Sequence, residues 1–61
     1  MKCSELLRIL YQDGWYVISQ RGSHLKLGHP IKRKIIIFPN HGGQEMGKGL
    51  EHRILRDAEL K

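Results

Sequence analysis

Cysteine is nearly absent. Cys3 stands alone in the chain, so no internal disulfide can form and no pair of thiolates exists for a structural zinc site. Long apolar runs are missing as well. None exceeds the four residues from Ile35 to Phe38, far short of the ~18 needed to span a bilayer, and Met1-Lys2-Cys3-Ser4-Glu5 does not read as a secretory signal. The expected address is the cytoplasm, with no membrane partner. Acidic groups are scarce too: six Asp and Glu stand against eleven Lys and Arg, a formal net charge of +5. That excess on so small a surface points to a polyanionic partner, nucleic acid first, although a basic soluble domain without such a partner has the same composition. At 61 residues the chain has room for one domain, residues 1–61, and for neither a second domain nor a deep enclosed cavity.

What is present reads as five elements. Cys3, Leu6, Leu7 and Leu10 follow the spacing of one buried helix face, with Ser4 as the expected N-cap and Asp13-Gly14 as the stop, so a first helix is expected from about Ser4 to Gln12. Trp15 to Gln20 is rich in aromatic and β-branched residues and predicts a strand, broken by Arg21-Gly22-Ser23 as by a hairpin turn. His24 to Gly28 alternates, with Leu25 and Leu27 on one face and His24 and Lys26 on the other. Pro30 and the polar stretch to Arg33 make the next turn. Lys34 to Phe38 is the third strand, its isoleucines expected to be strongly buried, and Pro39 closes it. Residues 40–49 hold four of the seven glycines and predict a loop with real freedom. Leu50, Ile54, Leu55 and Ala58 then form the stripe of a second helix. The expected fold class is α+β, in the order α-β-β-β-α: a three-stranded antiparallel sheet with both helices on one face and His24 and Lys26 on the other, open to solvent.

Four histidines invite a metal reading, but His24 and His29 start from opposite faces of a strand, and no Cys pair, His-x-x-x-His or acidic cluster accompanies them. Solvated histidines on a basic protein account for them better, and no cofactor is expected. His24 stands out because it follows Gly22-Ser23, where a bare backbone and a small hydroxyl let a phosphodiester approach. Lys26 lies on its face, and Lys32, Arg33 and Lys34 in the neighbouring turn and strand are expected to surround it with positive charge, which disfavours imidazolium. A neutral imidazole among cations suits removal of the proton from an RNA 2′-hydroxyl, with Lys26 and the basic turn holding the phosphorane charge, and this needs no metal. A lone histidine in a turn is also commonly structural or incidental, so the residues alone leave both readings open. Gly47-Lys48-Gly49 opens the second helix, where amides and Lys48 offer a weak phosphate contact; it lacks the spacing of a nucleotide-binding loop. Trp15, Tyr16 and Tyr11 have the chemistry to stack on bases, but with only four aromatics in the chain the core has first claim on them.

Taken in order, Asp13-Gly14-Trp15, Arg21-Gly22-Ser23-His24, Ile37-Phe38-Pro39-Asn40-His41, Lys48-Gly49-Leu50 and Arg53-Ile54-Leu55-Arg56-Asp57-Ala58 resemble the HicA family of mRNA interferase toxins nearly end to end. The resemblance implies a double-stranded-RNA-binding-domain-like fold, whose element order is the one read from periodicity. It implies ribosome-independent cleavage of mRNA in a bacterial cytoplasm, with the histidine of the Gly-Ser-His triplet, His24, catalytic. A HicB-type antitoxin protein is then the expected partner, covering that histidine. Gly22, Ser23, Lys26, Lys32, Arg33, Lys34 and Lys48 are the expected RNA-binding residues. Two departures stand out: Leu50 where the family often has Ser or Thr, and Glu59 where it commonly has the glycine that ends the helix. His41 matches a less specific family position and reads as loop structure. The rival readings are a non-catalytic RNA-binding module on the same basic face and a chain whose main role is to bind another protein.

Overall fold

A computed structural model describes residues 1–61. The order is α1 (Cys3–Asp13), β1 (Tyr16–Arg21), β2 (His24–Gly28), β3 (Ile36–Pro39) and α2 (Lys48–Asp57), and the strands form one antiparallel sheet in the order β1-β2-β3. The expected α+β architecture is the observed one. No helix is long and apolar enough to cross a membrane.

Helix α1 buries Cys3, Leu6, Leu7 and Leu10, the stripe its spacing demands. Its N-terminus differs from expectation. Lys2 occupies the cap position, Ser4 lies inside the helix, and no side chain caps it. The reason lies in the glycine-rich loop, whose carbonyls do the capping: the Cys3 amide donates to Gln44 O and the Ser4 amide to Gly42 O, each at 2.9 Å. The Met46 amide donates to Met1 O at 3.0 Å, and Met46 is buried. The loop expected to be free is thus bonded along its length to the start of α1. At the other end Gly14 takes φ +108, and the Trp15 amide closes back on Leu10 O at 3.0 Å, the pattern of a glycine C-cap.

The core is formed by the α1 stripe with Trp15, Leu25, Leu27, Ile36, Phe38, Met46, Ile54 and Ala58. Leu25 pairs with Phe38 and Leu27 with Ile36 across β2 and β3, so these four share the face that the helices cover. The run Ile35-Ile36-Ile37 is therefore not buried throughout. Ile36 faces the core, whereas Ile35 and Ile37 are 53% and 56% exposed, because a strand covered on one side buries only alternate residues. The strand itself starts at Ile36, two residues later than expected. β1 contributes nothing to the core: every residue from Tyr16 to Arg21 is exposed, and Trp15, expected to open the strand, lies before it and packs inward. An extra residue, Ile18, bulges between the Val17 and Ser19 pairings, as bulges do on edge strands.

Candidate nucleic-acid interface

The open face of the sheet follows from register. Arg21 pairs with His24, Ser19 with Lys26 and Tyr16 with Gly28 across β1 and β2; His24 pairs with Pro39 and Lys26 with Ile37 across β2 and β3. Directly opposed residues share a face, so His24, Lys26, Arg21, Tyr16 and Ile37 all look away from the helices. The Gly22-Ser23 turn fixes this register. A two-residue connection with a positive φ at its first central residue, +59 at Gly22, is the hairpin turn that glycine allows and whose twist suits the strands. No Cβ at Gly22 would meet a neighbour within 4 Å, so the approach to the turn is open on that side.

His24 is exposed, and its ring takes part in none of the side-chain hydrogen bonds of the protein. Neither ring nitrogen has a hydrogen-bond partner within the protein. The loop after β3 is pinned beside it: the Asn40 amide donates to Ser23 O at 2.7 Å, and His41, also exposed, follows immediately.

The basic residues named from sequence do not form one cluster around His24. Lys26 is on its face. Lys32, Arg33 and Lys34 lie in the β2–β3 connection, which a meander places at the Gly28 end of β2, ~13 Å along the strand from His24. Arg33 and Lys34 are exposed there, but Lys32 is engaged: its ammonium donates to Asp13 Oδ2 at 2.6 Å and to Ala58 O at 2.7 Å. Lys32 joins the end of α1 to the end of α2, and two of its three N–H donors are spent there. The same pair holds the Asp13 carboxyl below its usual range, first through the Lys32 hydrogen bond, with the Trp15 indole N–H adding a smaller contribution. Lys48 stands at the start of α2, in the layer behind the sheet, where its charge acts on Glu45. The cation nearest His24 in register is Arg21, which sequence reading passed over. Arg21 was expected in the turn, but it is the last residue of β1, and the two-residue Gly22-Ser23 connection sets it opposite His24.

Three further residues depart from expectation. His29 is not solvated: its side chain is 6% exposed, Nε2 lies 2.7 Å from Asp13 O, and Nδ1 accepts the amides of Ile31 and Lys32 at 3.1 Å each. Accepting two amides requires an unprotonated Nδ1, so Nε2 carries the hydrogen and donates to Asp13. Its ring also meets the Trp15 ring edge-on at 5.1 Å, and a Cβ at Gly14 would come within 2.9 Å of it, so Gly14 is required by both its φ and its neighbour. Tyr16 and Tyr11, expected in the core, are 50% and 46% exposed. No three His, Cys, Asp or Glu side chains gather as a metal-ligand group.

A family model described as the HicA toxin of bacterial toxin-antitoxin systems matches residues 3–60. The chain is also 39% identical, over all 61 residues and 98% of the relative's length, to a protein of Pseudomonas fluorescens (strain Pf0-1) named "Probable mRNA interferase HicA". The chain is a member of the HicA toxin family of bacterial toxin–antitoxin systems.

Proposed function

We propose that this protein is an mRNA endoribonuclease, the toxin of a type II pair, in which His24 is the catalytic residue. The observation that carries the reading is the His24 ring itself: exposed, free of internal hydrogen bonds, and set on an open sheet face between Arg21 and Lys26. The relative's name, mRNA interferase, supports the substrate class.

In the proposed step His24 takes the proton of an RNA 2′-hydroxyl, and that oxygen attacks the adjacent phosphorus. The bond to the 5′-oxygen breaks, and this leaving group takes a proton from water or from an imidazolium, giving a 2′,3′-cyclic phosphate and a 5′-hydroxyl. Arg21 and Lys26 stand where charge develops on the phosphoryl oxygens. Gly22 and Ser23 shape the approach, and Arg33 and Lys34 contact phosphates farther along the strand. Lys32 and Lys48 have no part in that contact set. The chemistry is proposed to run without a resident metal, since the donor groups of the chain are dispersed. The cytoplasm of a bacterium, where mRNA is found, is the proposed site of action, and a HicB-type antitoxin is the proposed partner that covers the His24 face.

His24→Ala is expected to lower RNA cleavage by at least ~100-fold, the scale of one general acid–base group, and to abolish growth arrest, while circular dichroism and the melting temperature stay unchanged. Mapping of RNA ends after incubation with each protein reads the outcome. Undiminished breakdown by the variant would falsify the assignment; binding without cutting by the unsubstituted protein favours the non-catalytic RNA-binding module.

A further inference from the structure

We infer that the hollow between β1 and the β2–β3 connection is a nucleobase subsite that holds substrate RNA at a position removed from the cut. This rests on the ribonuclease reading above and extends it to a second site. The hollow, of about 360 Å³, lies on the open face at the opposite end of β2 from His24. Tyr16 and Ile18 wall it on one side, Ile31 and Ile35 on the other, and Gly28 lies beneath.

Gly28 is the key to its shape. By strand alternation it faces the same way as His24 and Lys26, yet a Cβ there would sit 2.7 Å from Ile18 Cδ1 and 3.4 Å from Tyr16 Cζ. The missing side chain lets the Tyr16 ring and Ile18 lean over β2 while Tyr16 remains 50% exposed. A half-exposed aromatic ring on a sheet, flanked by aliphatic side chains, offers a flat apolar object one surface to stack on and others to pack against. The rim supplies the complementary charge. Arg33 and Lys34 line the same hollow, are exposed and enter no ion pair, whereas Lys32 is tied to Asp13 and His29 is bonded beneath.

A planar apolar group with an anion attached on one side is the chemistry of a nucleotide. Lys26 lies between the hollow and His24 on the same face, so one single-stranded RNA can lie along β2 with a phosphate at His24 and a base at Tyr16. The other basic hollow, on α2, is lined by Gly49, His52, Arg53, Arg56 and Lys61; it has charge but no Tyr, Trp or Phe ring and no aliphatic side chain for a base to pack on, and α2 lies on the covered side of the sheet, away from His24. Base recognition therefore falls to the Tyr16 hollow.

The test uses a short RNA whose 2′-hydroxyls are methylated, so that it binds without being cut, with 2-aminopurine placed at successive positions. Tyr16→Ala is expected to weaken binding roughly 5- to 150-fold, the range for one stacked base, and to remove the fluorescence quenching of one particular 2-aminopurine. Tyr16→Phe is expected to retain both. In cleavage assays Tyr16→Ala should raise KM for long RNA with kcat little changed, and leave a dinucleotide substrate unaffected. Equal affinity of Tyr16→Ala and the unsubstituted protein overturns the subsite, as does loss of stacking in Tyr16→Phe. Normal RNA binding by Tyr16→Ala with lost capture of the HicB-type antitoxin also overturns it, assigning the hollow to a protein partner. Because the probe has no 2′-hydroxyl, the binding and quenching results do not depend on cleavage by His24, and failure of one assignment leaves the other standing.

Discussion

Glu59 and Asp13 show how single residues set this fold's margins. Glu59 adopts φ +61, the left-handed conformation, immediately after the Ala58 cap of α2, and the Leu60 amide closes back on Leu55 O at 2.9 Å. This is the bonding of a glycine-terminated helix with a side chain in the glycine's place, a conformation that costs an L-residue ~1–2 kcal/mol. Glu59→Gly removes that cost but adds chain entropy to the unfolded state, so a net stabilisation of about 0.5–1 kcal/mol is expected in urea denaturation. A lower midpoint for the variant would show that the glutamate side chain contributes more than its backbone costs. Asp13 governs acid stability. Its carboxyl titrates below the unfolded value because Lys32 hydrogen-bonds it, so the contribution of the pair is present above about pH 4 and is lost as pH falls through the depressed folded-state value. Glu45, lowered by its hydrogen bond from the Met1 amine, titrates in the same direction. Asp13→Asn should reduce stability near neutral pH and flatten its decline below about pH 4, the Glu45 part remaining. An unaltered acid slope in denaturation curves taken between pH 3 and pH 7 would mean that Asp13 is not a source of it.

At the scale of elements, what could be read in advance was what local chemistry determines. The α1 stripe, the Gly14 stop and the alternation of β2 are each decided within a few residues and lie where their spacing placed them; the hairpin turn does too, except that Arg21, expected in it, is the last residue of β1. What escaped was decided across the chain. Ser4 lost the cap position to carbonyls some forty residues away, and the glycine-rich loop is ordered by the helix it caps. The isoleucine run has no internal sign that helices cover one face only. His29 carries no motif because its partners, Asp13 and Trp15, belong to another element. The candidate site divides the same way. His24, Lys26 and the glycine of the turn were legible from the hairpin, whereas Arg21 was not, because the breaker run Arg21-Gly22-Ser23 does not show that the strand keeps its first residue. The grouping of Lys32, Arg33 and Lys34 around His24 was not, because residues adjacent in sequence to the end of a strand are remote from its start.

The whole molecule measures 29 × 26 × 17 Å, and its shortest dimension is about one sheet backed by one layer of helices. A plate this thin has two broad sides, and its net charge of +5 is shared between them. On the sheet side are Arg21, His24, Lys26, Arg33 and Lys34; on the helix side are His52, Arg53 and Arg56, which α2 turns away from the buried Ile54. Charge alone does not choose between the sides, but a strand of RNA reaching His24 contacts only one of them. Each phosphate neutralised on single-stranded RNA contributes ~0.7 to the slope of log affinity against log salt. Arg21→Ala and Lys26→Ala should each flatten the slope by about that amount, whereas Arg56→Ala should leave it unchanged at every salt concentration. Titrations of the uncleavable RNA over a range of potassium chloride concentrations measure this directly. A slope that responds to Arg56 and not to Lys26 would place the RNA on the helices and leave His24 on the wrong side of the plate.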